Sequence, residues 1–290
     1  MIKNIIKIIS FFLVSSVFVF AQNNLEKAKQ LAEDKNFEEA KNILEKIIEE
    51  NEKDAEALFL LGKMNMALRN FEDASENFED AVELDEANSD YHFWLGRAYG
   101  ADAMESNIIT KAILAPKIKT QFETAVALDG DNIGARVGLA QFYLQAPGIM
   151  GGDVDKAMEQ GKALLELDEP NGRKILAQVY QEKGLNDLAD EQYKLLLEKY
   201  GNDKNYAGIY NAYGYRLLAQ EKFDEAIQAF KKQIKLVPDK ANPYDSLGDA
   251  YRKVGKVKLA IEQYKKALEI NPEFEQSKKK LEELKKIKLN

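Results

Sequence analysis

The sequence predicts an all-α fold, an α-solenoid of about seven helix-turn-helix repeats closed by a C-terminal capping helix. Three observations predict it: a 34-residue period, two columns of small residues inside that period, and a bulky side chain one helical turn after the second column. Phe71-Glu-Asp-Ala-Ser-Glu-Asn-Phe78 returns as Phe223-Asp-Glu-Ala-Ile-Gln-Ala-Phe230. Gly62 precedes Ala74 by 12 residues, as Gly214 precedes Ala226 and Gly248 precedes Ala260. The step from Gly214 to Gly248, and from Ala226 to Ala260, is 34.

Each column has a physical reason. A repeat of this length is a pair of helices, and neither helix can bury its apolar stripe alone. Where two helices cross closely, only a small side chain fits. Gly62, Gly96, Ala140, Ala177, Gly214 and Gly248 fill that place on the first helix, and Ala40, Ala74, Ala157, Ala189, Ala226 and Ala260 on the second. Leu44, Phe78, Phe122, Tyr193, Phe230 and Tyr264 follow four residues later on the same face. Pro238 and Pro272 end the second helix, and Gly184 and Gly255 supply turns within a pair. The repeats run roughly over 21–54, 55–88, 89–132, 133–169, 170–203, 207–240 and 241–274, one continuous superhelix over 22–274. Residues 275–290 form a charged helix over the last apolar face.

Two repeats break the period. The third carries about ten extra residues near Gly100–Pro116, and the fourth about five over Ala146–Asp153. Insertions in repeat arrays collect on one face and often bear function, so these two are expected to be neighbours. Asp153 is expected to cap the helix that follows it.

The first 21 residues stand apart. Lys3 and Lys7 form a basic head, Ile8 to Phe20 is an apolar run, and Val19-Phe20-Ala21 ends in a small residue. This is the pattern of a secretory signal cleaved between Ala21 and Gln22. The run is shorter than the roughly 20 residues a spanning helix needs. With no Cys after the cleavage site, lipid anchoring there is impossible. The mature chain is expected to be periplasmic or secreted, with no stable membrane insertion.

Composition removes several kinds of chemistry. With no Cys and one His, thiolate metal sites, Cys nucleophiles and the usual triads cannot be built, so no catalytic residue, metal or cofactor is expected. Net charge is −8, which a phosphate backbone would repel, so no nucleic-acid partner is expected. The charge is uneven: residues 22–90 hold 20 acidic against 8 basic side chains, and residues 221–290 hold 17 basic against 12 acidic. His92 reads as a packing residue beside Phe93 and Trp94. Ser277-Lys-Lys-Lys280 has the spacing of a Ser-x-x-Lys nucleophile but falls in the terminal helix, where exposure would leave it inert. Asp129-Gly-Asp131 begins like a calcium loop, yet its twelfth position is Ala140, where a bidentate Glu is needed.

This pattern resembles the tetratricopeptide-repeat family across nearly all of 22–290. The match is strongest over 241–274, where Asn-Pro-Tyr-Asp-Ser-Leu-Gly-Asp-Ala-Tyr precedes Ala260, Tyr264, Ala267 and Pro272. The Pro-Gly-Ile-Met-Gly-Gly run at 147–152 is similar to one in uncharacterised exported bacterial repeat proteins. The resemblance implies a concave groove lined by the first helices, and a non-enzymatic scaffold or adaptor that binds protein or peptide segments of the cell envelope. The groove residues are then Leu25, Phe59, Met66, Phe93, Val137 and Leu144 in the first four repeats. Lys174, Gln178, Gln181, Asn211, Tyr215, Asp245, Asp249 and Arg252 follow in the last three. An apolar groove with an acidic surround favours a partner with hydrophobic anchors and basic flanks. Chaperone-binding members hold a peptide carboxylate with Lys-x-x-x-Asn. The nearest match here is Lys174-x-x-x-Gln178, with Asp245 and Asp249 further along, which speaks against that ligand. The alternative is a module for an envelope glycan or cell-wall ligand, with Tyr206, Tyr210, Tyr213 and Tyr215 as its platform.

Overall fold

The computed structural model describes residues 23–287, and these are all helix and turn, with no strand among the described residues. Residues 1–21, expected above to be a secretory signal, lie outside them. Helices group into two compact units that meet in sequence at Lys183 and Gly184. That boundary falls in the turn assigned to the fifth repeat.

The first unit holds α1 (23–33), α2 (Phe37–Glu50), α3 (Ala55–Leu68), α4 (Phe71–Leu84) and α5 (Ser89–Glu105). It continues with α6 (Ile108–Leu128), α7 (Ile133–Gln145), α8 (Val154–Leu167) and α9 (Glu169–Glu182). The second unit holds α10 (Asn186–Tyr200), α11 (Gly208–Ala219), α12 (Phe223–Leu236), α13 (Ala241–Lys253), α14 (Val257–Ile270) and α15 (Glu275–Ile287). Within each unit consecutive helices pack on one another, α2 through α9 in the first and α10 through α15 in the second.

The contacts inside a pair are those the columns call for. A side-chain carbon added at Gly62 would come within 2.6 Å of the Phe78 ring, at Gly214 within 2.6 Å of Phe230, and at Gly248 within 2.4 Å of Tyr264. Phe122 lies between two such sites, Gly96 at 2.9 Å and Gly138 at 2.7 Å. The second-column alanines Ala40, Ala74, Ala157, Ala189, Ala226 and Ala260 are fully buried. The fourth repeat inverts the arrangement. It has Gly161 where the others have a knob, and Gly161 accepts Ile175 and Leu176 of α9. Gly172 faces the backbone of Leu164 and Leu165, so α8 and α9 approach main chain to main chain.

Turns within pairs use left-handed residues. Gly184 and Gly255 have positive φ, and so do Lys35, Arg69 and Glu221 at the equivalent points of other repeats. Asp153 caps α8, accepting from the amides of Asp155 and Lys156.

The first insertion is helix rather than loop. It lengthens α5 to 17 residues and α6 to 21, against 14 for α3 and α4. Asn107 caps α6, accepting from Ile109 and Thr110, and Pro116 stands inside that helix. The second insertion forms a 3₁₀ turn, Gly148–Met150, packed against α6.

Candidate functional site: an aromatic face bearing two cations

Because α3 and α5 are offset by one period, Phe59 and Phe93 occupy one position, and Lys63 and Arg97 another, one helical turn later. The Phe59 ring centre lies 4.8 Å from Tyr91, 5.7 Å from Phe78 and 6.3 Å from Trp94. Phe93 lies 5.9 Å from Trp94 and 6.3 Å from Phe122, and its ring covers Gly134. The result is a connected aromatic cluster with one edge towards solvent.

Both cations rest on it. The Lys63 nitrogen is 5.1 Å from the Trp94 ring centre and 5.5 Å from that of Phe59. The Arg97 guanidinium is 4.2 Å from Trp94 and 5.6 Å from Phe93. Such contacts are worth about 0.5–2 kcal/mol each, more as water is removed. Desolvation lowers the Arg97 pKa below its ordinary value. Among the described residues neither cation has a carboxylate within ion-pair distance, although the surrounding repeats are strongly acidic. One column further, the Gln141 amide donates to Gln178 at 2.8 Å, joining α7 to α9.

The residues singled out from the sequence divide three ways. Phe59, Met66, Phe93, Val137 and Leu144 are half-buried against one core cluster. Leu25 belongs to a separate cluster with Ala28, Ala40 and Leu44. Tyr215 stands in the second unit, 39% exposed, its hydroxyl 2.9 Å from Asp249 and 3.2 Å from Ser246. Sequence reasoning passed over Lys63 and Arg97. Their signal was present: each follows a column glycine, at one period's separation.

In the second unit, Tyr215, Leu218, Ala219, Asp249, Arg252 and Lys253 line an open cleft of about 660 Å³. Asp245 is not a groove residue, being 2% exposed and taking hydrogen bonds from Ser277 at 2.6 Å and Lys280 at 2.7 Å. Ser277 is likewise fully buried, which corrects its placement on an exposed face. It donates to a carboxylate, and Lys280 bridges Asp245 and Asp249, so the pair locks α15 in place. Tyr213 packs on the core of the second unit, and Tyr206 stacks on Tyr200. His92 is buried with Nδ1 2.6 Å from Gln121 and Nε2 3.0 Å from the Glu86 carbonyl, a packing role. Burial pushes the Asp190 carboxyl up, but Arg216 and Gln220 more than offset this and hold it below the usual range. Among the described residues no cluster of potential metal ligands occurs, and no helix is long and apolar enough to cross a membrane.

Comparison with known proteins agrees with this geometry. Models described as tetratricopeptide repeat match residues 31–92 and 246–274, and one described as TPR repeat matches 214–255. The type IV pilus assembly protein PilF of Pseudomonas aeruginosa is 29% identical over 47% of this chain and 53% of its own length. The chloroplastic tetratricopeptide repeat protein PYG7 of Arabidopsis thaliana is 23% identical over 47% of this chain and 46% of its own. The chain thus spans about half the length of these relatives. Among solved structures, a tetratricopeptide repeat protein of Parabacteroides merdae superposes with a TM-score of 0.69 at 16% identity, covering 93% of this chain and 99% of that one. Yeast Tom70 gives 0.69 at 18% identity, over 88% of this chain and 52% of that one. Repeat columns, helix pairing and matched models agree: over 31–92 and 214–274 the chain is built of tetratricopeptide repeats.

Proposed function

We propose that this protein is a non-enzymatic exported scaffold that holds a segment of a protein partner on the first-helix face of α3, α5 and α7. Tetratricopeptide folds are generally scaffolds for protein–protein interaction. The observation that carries the reading is the pair of cations on aromatic rings, Lys63 and Arg97, without carboxylate partners among the described residues. A partner segment with an apolar anchor and a carboxylate supplies what this face lacks. That reverses the basic flanks suggested by the charge of the surrounding repeats, because the charge at the face outweighs the charge around it. The likeness to a pilus assembly protein supports a place in building a larger assembly. The basic head and short apolar run of residues 1–21 support export to the periplasm or beyond.

Lys63→Gln with Arg97→Gln tests the site, because these changes leave the rings in place. We expect the double variant to lose a partner captured from envelope extract, with Tm unchanged. Retention of that partner would overturn the assignment. Phe59→Ala with Phe93→Ala is a poorer probe, since both rings pack against core side chains and their loss also destabilises the fold. N-terminal sequencing of the envelope fraction tests export, and a chain beginning at Met1 would refute cleavage at Ala21. The cleft beside Tyr215 favours one second reading, a glycan or cell-wall ligand seated there. It requires that Tyr215→Ala abolish binding of cell-wall fragments while the Lys63 and Arg97 changes do not.

A further inference from the structure

The third repeat exposes more aliphatic surface than any other described part of the chain. Met104 is 82% exposed, Ile108 68%, Ile109 71% and Ile113 61%, whereas the exposed large apolar residues outside the two insertions lie between 36% and 45%. Ile108, Ile109 and Ile113 stand on α6, whose first turn Asn107 caps, and Met104 stands on the last turn of α5. Positions 108, 109, 112, 113 and 116 recur at helical spacing and all are exposed. The opposite side of α6, Leu114, Ala115 and Ile118, is buried in the core. The 3₁₀ turn packed on α6 adds Ile149, 96% exposed.

Charge along the first part of α6 departs from the rest of the molecule, and beside Met104 on α5 the Glu105 carboxylate is paired with Arg69. From Ser106 to Phe122 the chain has no Asp or Glu and has three lysines, in a protein of net charge −8. Lys111 has no carboxylate within ion-pair distance among the described residues. Lys117 and Lys119 reach Glu79 and Glu123 only at 3.7 and 3.8 Å, surface pairs of little strength.

We propose that the overhanging α5/α6 hairpin seats on an anionic lipid surface, with Met104, Ile108, Ile109 and Ile113 in the acyl boundary and the lysines at the headgroups. Helices that lie in the membrane interface pair an aliphatic face with basic side chains. Lysine stems can lie along apolar surface while their ammonium groups reach phosphate. Two other occupants fit less well. A second copy placed symmetrically would bring the same lysine-bearing helix against itself, like charge on like. Protein anchors are rich in Trp, Tyr and Arg and poor in Lys, whereas this stripe has no aromatic residue or Arg and is flanked by lysines. The seating is peripheral, since no described helix can cross a bilayer.

Because the chain lacks Cys, one probe can be placed at a time. Full-length Ile109→Cys and the control Gln228→Cys would each carry an environment-sensitive fluorophore. They would be mixed with vesicles of equal parts phosphatidylglycerol and phosphatidylethanolamine, or of phosphatidylcholine alone. We expect a blue shift at position 109 on the anionic vesicles, reduced by salt, and none at 228. Ile108→Ser with Ile109→Ser and Ile113→Ser should weaken vesicle partitioning on the order of tenfold or more, given the apolar surface withdrawn. Three outcomes overturn the proposal. One is equal shifts at 109 and 228, or vesicle binding with no shift at 109, which would mean contact through another segment such as residues 1–21. Another is a shift that rises with protein concentration without lipid, which would mean a second copy covers the stripe. The third is a shift that appears only on adding a protein partner.

Discussion

The α13/α14 pair and the α5/α6 pair are built on the same contact and end differently. In α13/α14, Gly248 lies under the ring of Tyr264, the ring is fully buried, and its hydroxyl donates to Asp249 at 2.8 Å. Only Leu259 at 38% is a large apolar side chain left exposed in that pair. In α5/α6, Gly96 lies under Phe122 in the same way, yet the helices run on past the contact and carry four large aliphatic residues into solvent. The crossing point is fixed by packing, whereas the length beyond it is free. A repeat protein can therefore acquire a new surface without disturbing the core that defines the repeat.

The largest expected effect lies at the crossing. Gly248→Leu forces several atoms into a space where the first added carbon already meets Tyr264 at 2.4 Å, and Tyr264 is held by its hydrogen bond. We expect a loss of about 3 kcal/mol or more, the upper end for overpacking. Lys279→Ala, on an exposed position of α15, should stay within about 0.5 kcal/mol. Equal shifts in urea midpoint would mean that the shared contact does not hold the pair together.

Pro116 offers the next test, in the opposite direction. It stands exposed inside α6, has no amide hydrogen, and so denies the Ala112 carbonyl its usual partner. Pro116→Ala restores that bond at some cost in unfolded-chain freedom. We expect a net gain of about 1–2 kcal/mol in thermal or urea unfolding. A loss instead would show that a kink at Pro116 is needed to seat α6 on its neighbours.

These cases also mark what could be read from the residues alone. The crossing columns were legible because close approach admits only Gly or Ala, and the facing ring recurs at a fixed offset. That was enough for the helix pairs, for the family and for the register of Phe59 and Phe93. It did not reveal how deeply those rings are buried, because their neighbours Phe78, Phe122 and Gly134 come from other helices. Pro116 marks the edge of the insertion by its usual helix-ending habit, and the overhang is helical on both sides of it. Ser277 looks exposed by its place in a lysine-rich helix, but Asp245 draws it inward. Lys63 and Arg97 lay in plain view beside the column glycines. They were missed because a general excess of acid distracts from two local cations.

Gly96 and Gly100, one turn apart on α5, place the comparison within a single helix. A carbon added at Gly96 would lie 2.9 Å from Phe122, so Gly96→Ala should destabilise by about 1–3 kcal/mol. Nothing lies within 4 Å of the same carbon at Gly100, and alanine forms helix better than glycine, so Gly100→Ala should stabilise by about 0.5–1 kcal/mol. Opposite signs one turn apart would locate where the packed crossing gives way to the free overhang. If both changes destabilise, the core extends further along α5 than its contacts indicate.

The smallest effect is expected at the exposed stripe itself. Ile109 is 71% exposed and contributes little to any core cluster, so Ile109→Ser removes apolar surface that folding leaves in water. Its effect on unfolding should lie within about 0.5 kcal/mol, like other surface changes. The measurement is informative because it is expected to be null. Isoleucine exposed to this degree has no role in holding α5 against α6, and a surface without such a role is available for binding. A loss of 1 kcal/mol or more, the order seen when side chains leave a packed environment, would show that the stripe is covered in the folded protein. The difference between the third and seventh pairs would then be one of length alone.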